Sequence, residues 1–160
     1  ELERIEAQIR QTPDSARGHI QRASHMARAG HTEIALTGFE RALELSPGDA
    51  EALTERAGFW LQQGNARQAI VDCNAALSSL EARGDFSYQP ISLRGDAWLA
   101  LGRLDAAIAD FSAARRFDVT VARAYFQRAS LRRSQGDQVG ADSDFSAAKK
   151  IDPSIGLQSP

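Results

Sequence analysis

Four glycines set the period of this chain. Gly30, Gly64, Gly102 and Gly136 follow one another at intervals of 34, 38 and 34 residues. Other residues keep step with them. Seven positions before each glycine stands a small residue: Ala23, Ala57, Gly95 and Ala129. Five positions after it come Ala35, Ala69, Ala107 and Ala141, and nine after it Phe39, Cys73, Phe111 and Phe145. Twelve after it come Ala42, Ala76, Ala114 and Ala148. Such a recurrence marks stacked copies of one supersecondary unit, none able to bury its apolar face alone.

The unit is a pair of helices. Ala occurs 28 times and Leu 14 times, against 4 Val and 5 Thr, a supply of helix formers and a shortage of β-branched residues. Each glycine falls between two apolar-periodic stretches, where it tolerates the positive φ that ends a helix. Small residues of the first helix then meet Ala of the second, and two backbones approach closely. The pattern predicts helices over 16–29, 32–46, 50–63, 66–83, 88–101, 104–117, 122–135 and 138–151. The 38-residue interval carries four extra residues. There the helix is expected to run through Arg83 and end at Gly84, with Ser87 capping the next helix and Pro90 in its first turn. Phe86 and Tyr88 stand at this insertion, either as loop residues or as a contact point at the rim.

These columns resemble the tetratricopeptide repeat (TPR) family, in its bacterial type, over nearly the whole chain. The resemblance adds a proline at the end of the second helix, matched by Pro47 and Pro153, and by Pro13 for a truncated leading unit. Glu81 and Val119 depart from it. The aromatic of the first helix is matched by Trp60 and Trp98, but is Met26 in the first copy and Arg132 in the fourth. The resemblance implies an all-α fold, a right-handed α-α superhelix of helix-turn-helix repeats. Its units would be the second helix of a truncated repeat (1–13), four repeats (14–49, 50–87, 88–121 and 122–153) and a tail (154–160). Seven residues are too short for a closing helix. Either further repeats or another chain is therefore expected at that end, around Val139 and Ile151, with self-association as one outcome. Glu1 need not be the natural start, and a larger parent protein stays open.

A polar recurrence accompanies the apolar one. Arg22, Arg56, Arg94 and Arg128 each precede the small residue of the first helix. Sixteen positions later stand Asp72, Asp110 and Asp144, with Gly38 in the first copy. An Arg–Asp pair is expected to tie the two helices of a unit, leaving Arg22 free for something else.

The chemistry of an enzyme is missing. The histidines, His19, His25 and His31, are six apart, which turns neighbours to different helix faces. The single Cys73 occupies the phenylalanine column and is expected to be buried and inert. In Asp142-Ser143-Asp144 the two carboxylates point apart on a helix, and Asp144 belongs to the Arg–Asp series. No phosphate-loop, dinucleotide or zinc-protease string occurs. No catalytic residue, cofactor or metal is therefore expected. Net charge is −2, which argues against a dedicated nucleic-acid partner. No apolar run approaches the roughly 20 residues that span a bilayer, so no membrane insertion is expected. One cysteine fits a cytoplasmic chain and leaves a periplasm open.

What remains is binding of a protein or peptide. Helix-pair arrays present their first helices on a concave face, and in the family this face takes peptides or partner helices. The lining expected here is Arg17, Ile20, Gln21, Ser24 and Arg28, then Glu51, Thr54, Glu55 and Gln62. It continues with Gln89, Ser92, Leu93 and Asp96, and with Arg123, Phe126, Gln127, Ser130 and Arg133. Leu93 and Phe126 offer apolar anchors, and Glu51 and Glu55 make the middle acidic. The family's carboxylate clamp needs Lys and Asn at fixed groove positions. One register holds Ile20, Ser24, Glu55, Gln89 and Leu93. The other holds Thr54, Gly58, Leu93, Arg123 and Gln127. Only Arg123 carries the needed charge, so a chaperone-tail clamp is not expected.

Overall fold

The computed structural model describes residues 2–156. Glu1 of the leading segment and residues 157–160 of the tail lie outside the described residues. The elements are α1 (Leu2–Gln11), α2 (Ala16–Arg28), α3 (Thr32–Leu45), α4 (Ala50–Gln62) and α5 (Ala66–Ala82). They continue with α6 (Tyr88–Ala100), α7 (Leu104–Ala113), α8 (Val119–Ser134) and α9 (Gln138–Ile151). Among the described residues there is no strand, and the fold is all-α. The chain divides into two compact units, unit 1 through Leu93 and unit 2 from Arg94, with the boundary inside α6.

The periodic glycines make the hairpins. Gly30, Gly64, Gly102 and Gly136 have φ of 81°, 73°, 70° and 85°. The next residue's N–H reaches back five positions: His31 to Met26 O, Asn65 to Trp60 O, Arg103 to Trp98 O and Asp137 to Arg132 O, at 2.8–2.9 Å. This closure satisfies carbonyls that the helix end leaves open. Asn65 and Asp137 then cap the second helices through their side chains. The longer connection follows the same rule. α5 ends on Arg83, Gly84 takes φ 70°, and Ser87 Oγ accepts from the Gln89 N–H at 3.3 Å.

In unit 1 the small residues of α2 and α3 meet: Ala23 and Ala35 are fully buried beside Met26 and Phe39, and Phe59 of α4 closes the cluster. α1 lies on α2, with Ile5 buried and Leu2 on the same cluster. In unit 2 the core is Ala107, Ile108, Phe111, Val121 and Ala124, with Trp98, Leu99 and Tyr125 packed on it. Cys73 is buried in the phenylalanine column.

One boundary differs from the sequence reading. α7 stops at Ala113 rather than 117, and α8 starts at Val119 rather than 122. The Arg116 N–H closes on Phe111 O at 2.9 Å, with Arg115 at φ 53° where other turns use glycine. Asp118 then accepts from Thr120 N at 2.8 Å and Val121 N at 3.3 Å, starting α8 almost a turn early and leaving Phe117 exposed. A left-handed non-glycine residue costs roughly 1–2 kcal/mol, part of which glycine's extra chain entropy takes back. Arg115→Gly is therefore expected to stabilise the protein by about 1 kcal/mol and raise Tm by roughly 2–4 °C. A lowered Tm would contradict this reading of the turn.

The cap also titrates. Burial works to raise the pKa of Asp118. The hydrogen bond from Arg116 and the N–H of Val121 outweigh it and hold the carboxyl below its ordinary 3.8. A carboxylate depressed on folding stabilises above its unfolded pKa, and loses that contribution as pH falls through the folded value. The amides of Thr120 and Val121 should stay protected as pH falls past 3.8 and open only below it. Hydrogen exchange along an acid series reads this directly.

Candidate functional site

Paired charges tie the two helices of three hairpins together. Arg56 Nε and Nη2 donate to Asp72 at 2.7 Å each. Arg94 binds Asp110 in the same two-pronged way at 2.8 Å, and Arg128 binds Asp144 likewise at 2.8 Å. The series expected from the sixteen-residue spacing thus joins α4 to α5, α6 to α7 and α8 to α9. Asp144 holds a second cation, because Arg132 Nη1 donates to it at 2.9 Å. This explains how arginine stands where the second and third copies have Trp60 and Trp98. The hydrogen bond that Arg128 donates to Asp144 raises the Arg128 pKa against the opposing effect of burial, so its charge is fixed. Arg22, expected to lack a partner, lies 3.9 Å from Glu6 of α1.

In unit 1 the first helices α2 and α4 and the start of α6 line two neighbouring cavities. One, of about 290 Å³, is walled by Gln21, Ser24, Arg28, Glu51 and Glu55 over Ile5 and Ile20. The other, of about 160 Å³, takes in Arg28, Glu55, Gln62, Gln89 and Leu93 over Phe39, Thr54 and Phe59. Eight of the residues expected on this face from sequence, Gln21, Ser24, Arg28, Glu51, Glu55, Gln62, Gln89 and Leu93, are therefore brought together. Ser24 Oγ donates to Glu55 Oε2 at 2.8 Å, and the Arg28 Nε–H to Ser24 O at 3.2 Å. Ile20 and Thr54, expected to face outward, are 2% and 5% exposed and form the floor instead. Ile20 packs with Ala42 and Ala52, and Thr54 Oγ1 bonds Ala50 O at 2.6 Å. Arg17 is exposed in the first turn of α2.

In unit 2, Phe126 and Arg133 line a cavity of about 760 Å³ with Phe145, Lys149, Lys150 and Ile155. Phe126 is half-buried rather than a freely exposed anchor, since its ring meets Phe145 edge-on at 5.3 Å. Arg123 and Gln127 are exposed on α8. Asp96 is turned to Arg116, whose Nη1 donates to it at 2.7 Å. Burial works to lower the Arg116 pKa, but hydrogen bonds to Asp118 and Asp96 raise it above the ordinary value. Sequence reasoning missed this bridge; its only trace was Arg116 two residues before the capping Asp118. Ile151, taken as outward, packs on the Phe111 cluster, whereas Val139 is exposed.

No family model matches the sequence, and no curated protein matches it. Solved structures do match the fold. YrrB, a TPR protein with an unusual peptide-binding site, aligns at a TM-score of 0.74 and 21% identity, over 97% of this chain and 78% of that one. MamA from Desulfovibrio magneticus RS-1 aligns at 0.68 and 17% identity, over 97% and 85%. PilW, a widely conserved type IV pilus biogenesis factor, aligns at 0.67 and 17% identity, over 92% and 66%. With the helical hairpins and their columns, these matches define the fold as that of the helical repeat proteins. More closely, it is the TPR fold. No helix among the described residues is long and apolar enough to cross a membrane.

Proposed function

We propose that this chain is a non-catalytic protein-interaction module that holds a segment of a partner against the first-helix face of unit 1. The observation that carries the reading is the pair of cavities sharing Ser24, Arg28 and Glu55. Their walls come only from first helices and α1, apart from Phe39 in the floor. Gln21, Gln62 and Gln89 offer donors and acceptors to a peptide backbone. Glu51, Glu55 and Arg28 all line these cavities, so a segment of mixed charge suits the face. Leu93 and Phe59 supply an apolar floor for one anchoring side chain. The peptide-binding site of YrrB supports the same use of the fold. In unit 2 the residues read in the same way are Arg123, Phe126, Gln127 and Arg133, with Asp96 at the start.

Peptide-display selection on the immobilised chain tests this. A selected peptide should lose about tenfold or more in affinity on Glu55→Arg, because the reversed charge sits where both cavities meet. Val71→Asp, on the exposed face of the second helix α5, should leave affinity unchanged. Equal binding by wild type and Glu55→Arg would refute the reading.

Self-association through α9 is the second reading, favoured by the 83% exposure of Val139. Under it, Val139→Glu should turn an oligomer into a monomer in sedimentation runs. A wild type that is monomeric throughout would end it.

A further inference from the structure

The hairpin of α8 and α9 differs from the others in one respect. Phe39 and Phe111 of the phenylalanine column are sealed, at 1% and 0% exposure. Each is covered by the first helix that follows: Phe59 of α4 lies 5.9 Å from Phe39, and Val121 and Ala124 of α8 pack on Phe111. Phe145 holds the same column position and is only half-buried. The 760 Å³ cavity opens beside it. Its floor is the Phe126–Phe145 pair, with Ile155 alongside. Its rim is basic. Arg133 stacks 4.5 Å above the Phe145 ring, and Lys149 and Lys150 complete the edge. Against these three cations stands one carboxylate, Asp142, 3.7 Å from Arg133.

We propose that this cavity of unit 2 is a docking site for an acidic amphipathic helix of a partner protein. The helix would enter with its apolar edge over Phe126 and Phe145 and set its carboxylates against Arg133, Lys149 and Lys150. A helix is the shape that covers this column elsewhere in the molecule, and the basic rim selects an acidic one. A nucleic acid fits less well. Arg133 covers one face of Phe145 and Gly156 lies against the Phe126 ring, which leaves less ring face for a base to stack on. The site stands whether or not the face of unit 1 binds.

Fluorescence anisotropy on the full chain tests it with a labelled peptide of about 14 residues, roughly four helical turns. The peptide carries Leu and Phe along one edge and Glu elsewhere. The wild type should bind it one to one, more weakly as salt rises, and should not bind the same peptide with Lys in place of Glu. Lys149→Glu with Lys150→Glu, both exposed in the last turn of α9, should weaken binding about tenfold or more. Ser146→Trp, which fills the cavity and leaves its charge alone, should do the same with Tm unchanged. Equal binding of the acidic and basic peptides, or binding indifferent to both variants, would overturn the proposal. So would tighter binding of an oligothymidylate lost in the same variants, which would make the site a nucleic-acid surface. A wild-type dimer that Ser146→Trp dissociates would overturn it too, by placing a second copy in the cavity.

Discussion

Asp144→Ala is expected to cost about 3 kcal/mol at neutral pH, and to cost it in unit 2. The carboxylate is buried and bonded by Arg128 at 2.8 Å and Arg132 at 2.9 Å. Removing it takes away the carboxylate the two guanidinium groups share, leaving Arg128 with Asp105 at 2.7 Å and Arg132 with Asp137 at 3.8 Å. Breaking a buried pair from one side typically costs about 3–5 kcal/mol, because the remaining charge stays desolvated. The low end applies here, since the Arg128 and Arg132 side chains keep 16% and 31% exposure and water screens part of the loss. Amides of α8 and α9 should lose hydrogen-exchange protection together, while those of α2 to α4 keep theirs, as expected for helical repeats that contact only neighbours. Replacing the charges by apolar side chains of similar size, Asp144→Leu with Arg128→Met and Arg132→Met, should recover most of the loss. A single variant as stable as the wild type would show that the pair carries no structural load.

Phe111→Ala should cost about 3–5 kcal/mol, the usual price of emptying a sealed aromatic site. Its ring lies on bare backbone. A Cβ built on Gly95 would stand 2.6 and 2.7 Å from ring carbons of Phe111 and 3.3 Å from Asp110 Cβ. Alanine for glycine inside a helix normally gains about 1 kcal/mol. At Gly95 the overlap reverses the sign, and Gly95→Ala should destabilise by about 1–3 kcal/mol. In the Phe111→Ala background the ring is gone, so the same change should be neutral or mildly stabilising. The double-mutant cycle should therefore return a coupling of about 2 kcal/mol. Additive effects would mean that the two residues do not meet.

Much of this was legible in the sequence, for physical reasons. Gly30, Gly64, Gly102 and Gly136 announce hairpins because the closing turn needs a positive φ. Arg56 and Asp72 declare a contact because the same spacing recurs in two further copies. Failures came where a local rule had no sequence mark. Arg115 takes a glycine's conformation without being one, so the end of α7 was misplaced. Ile20 and Thr54 carry no sequence mark that separates them from the outward positions of their helices. Neighbouring helices on more than one side bury both, leaving Arg17, Arg28 and Glu51 exposed and Gln21 and Glu55 half-buried. Phe145 stands in the core column, yet it is half-buried beside the cavity it lines with Phe126 and Ile155.

The central claim, that the first-helix face of unit 1 receives a partner segment, is tested most directly by amide chemical-shift mapping with a display-selected peptide. Perturbations are expected at Gln21, Ser24, Arg28, Glu51, Glu55, Gln62 and Gln89, with the exposed faces of α3 and α5 unmoved. Perturbations centred on Glu40, Val71 and Asn74 of the second helices, with the first-helix amides unchanged, would contradict it.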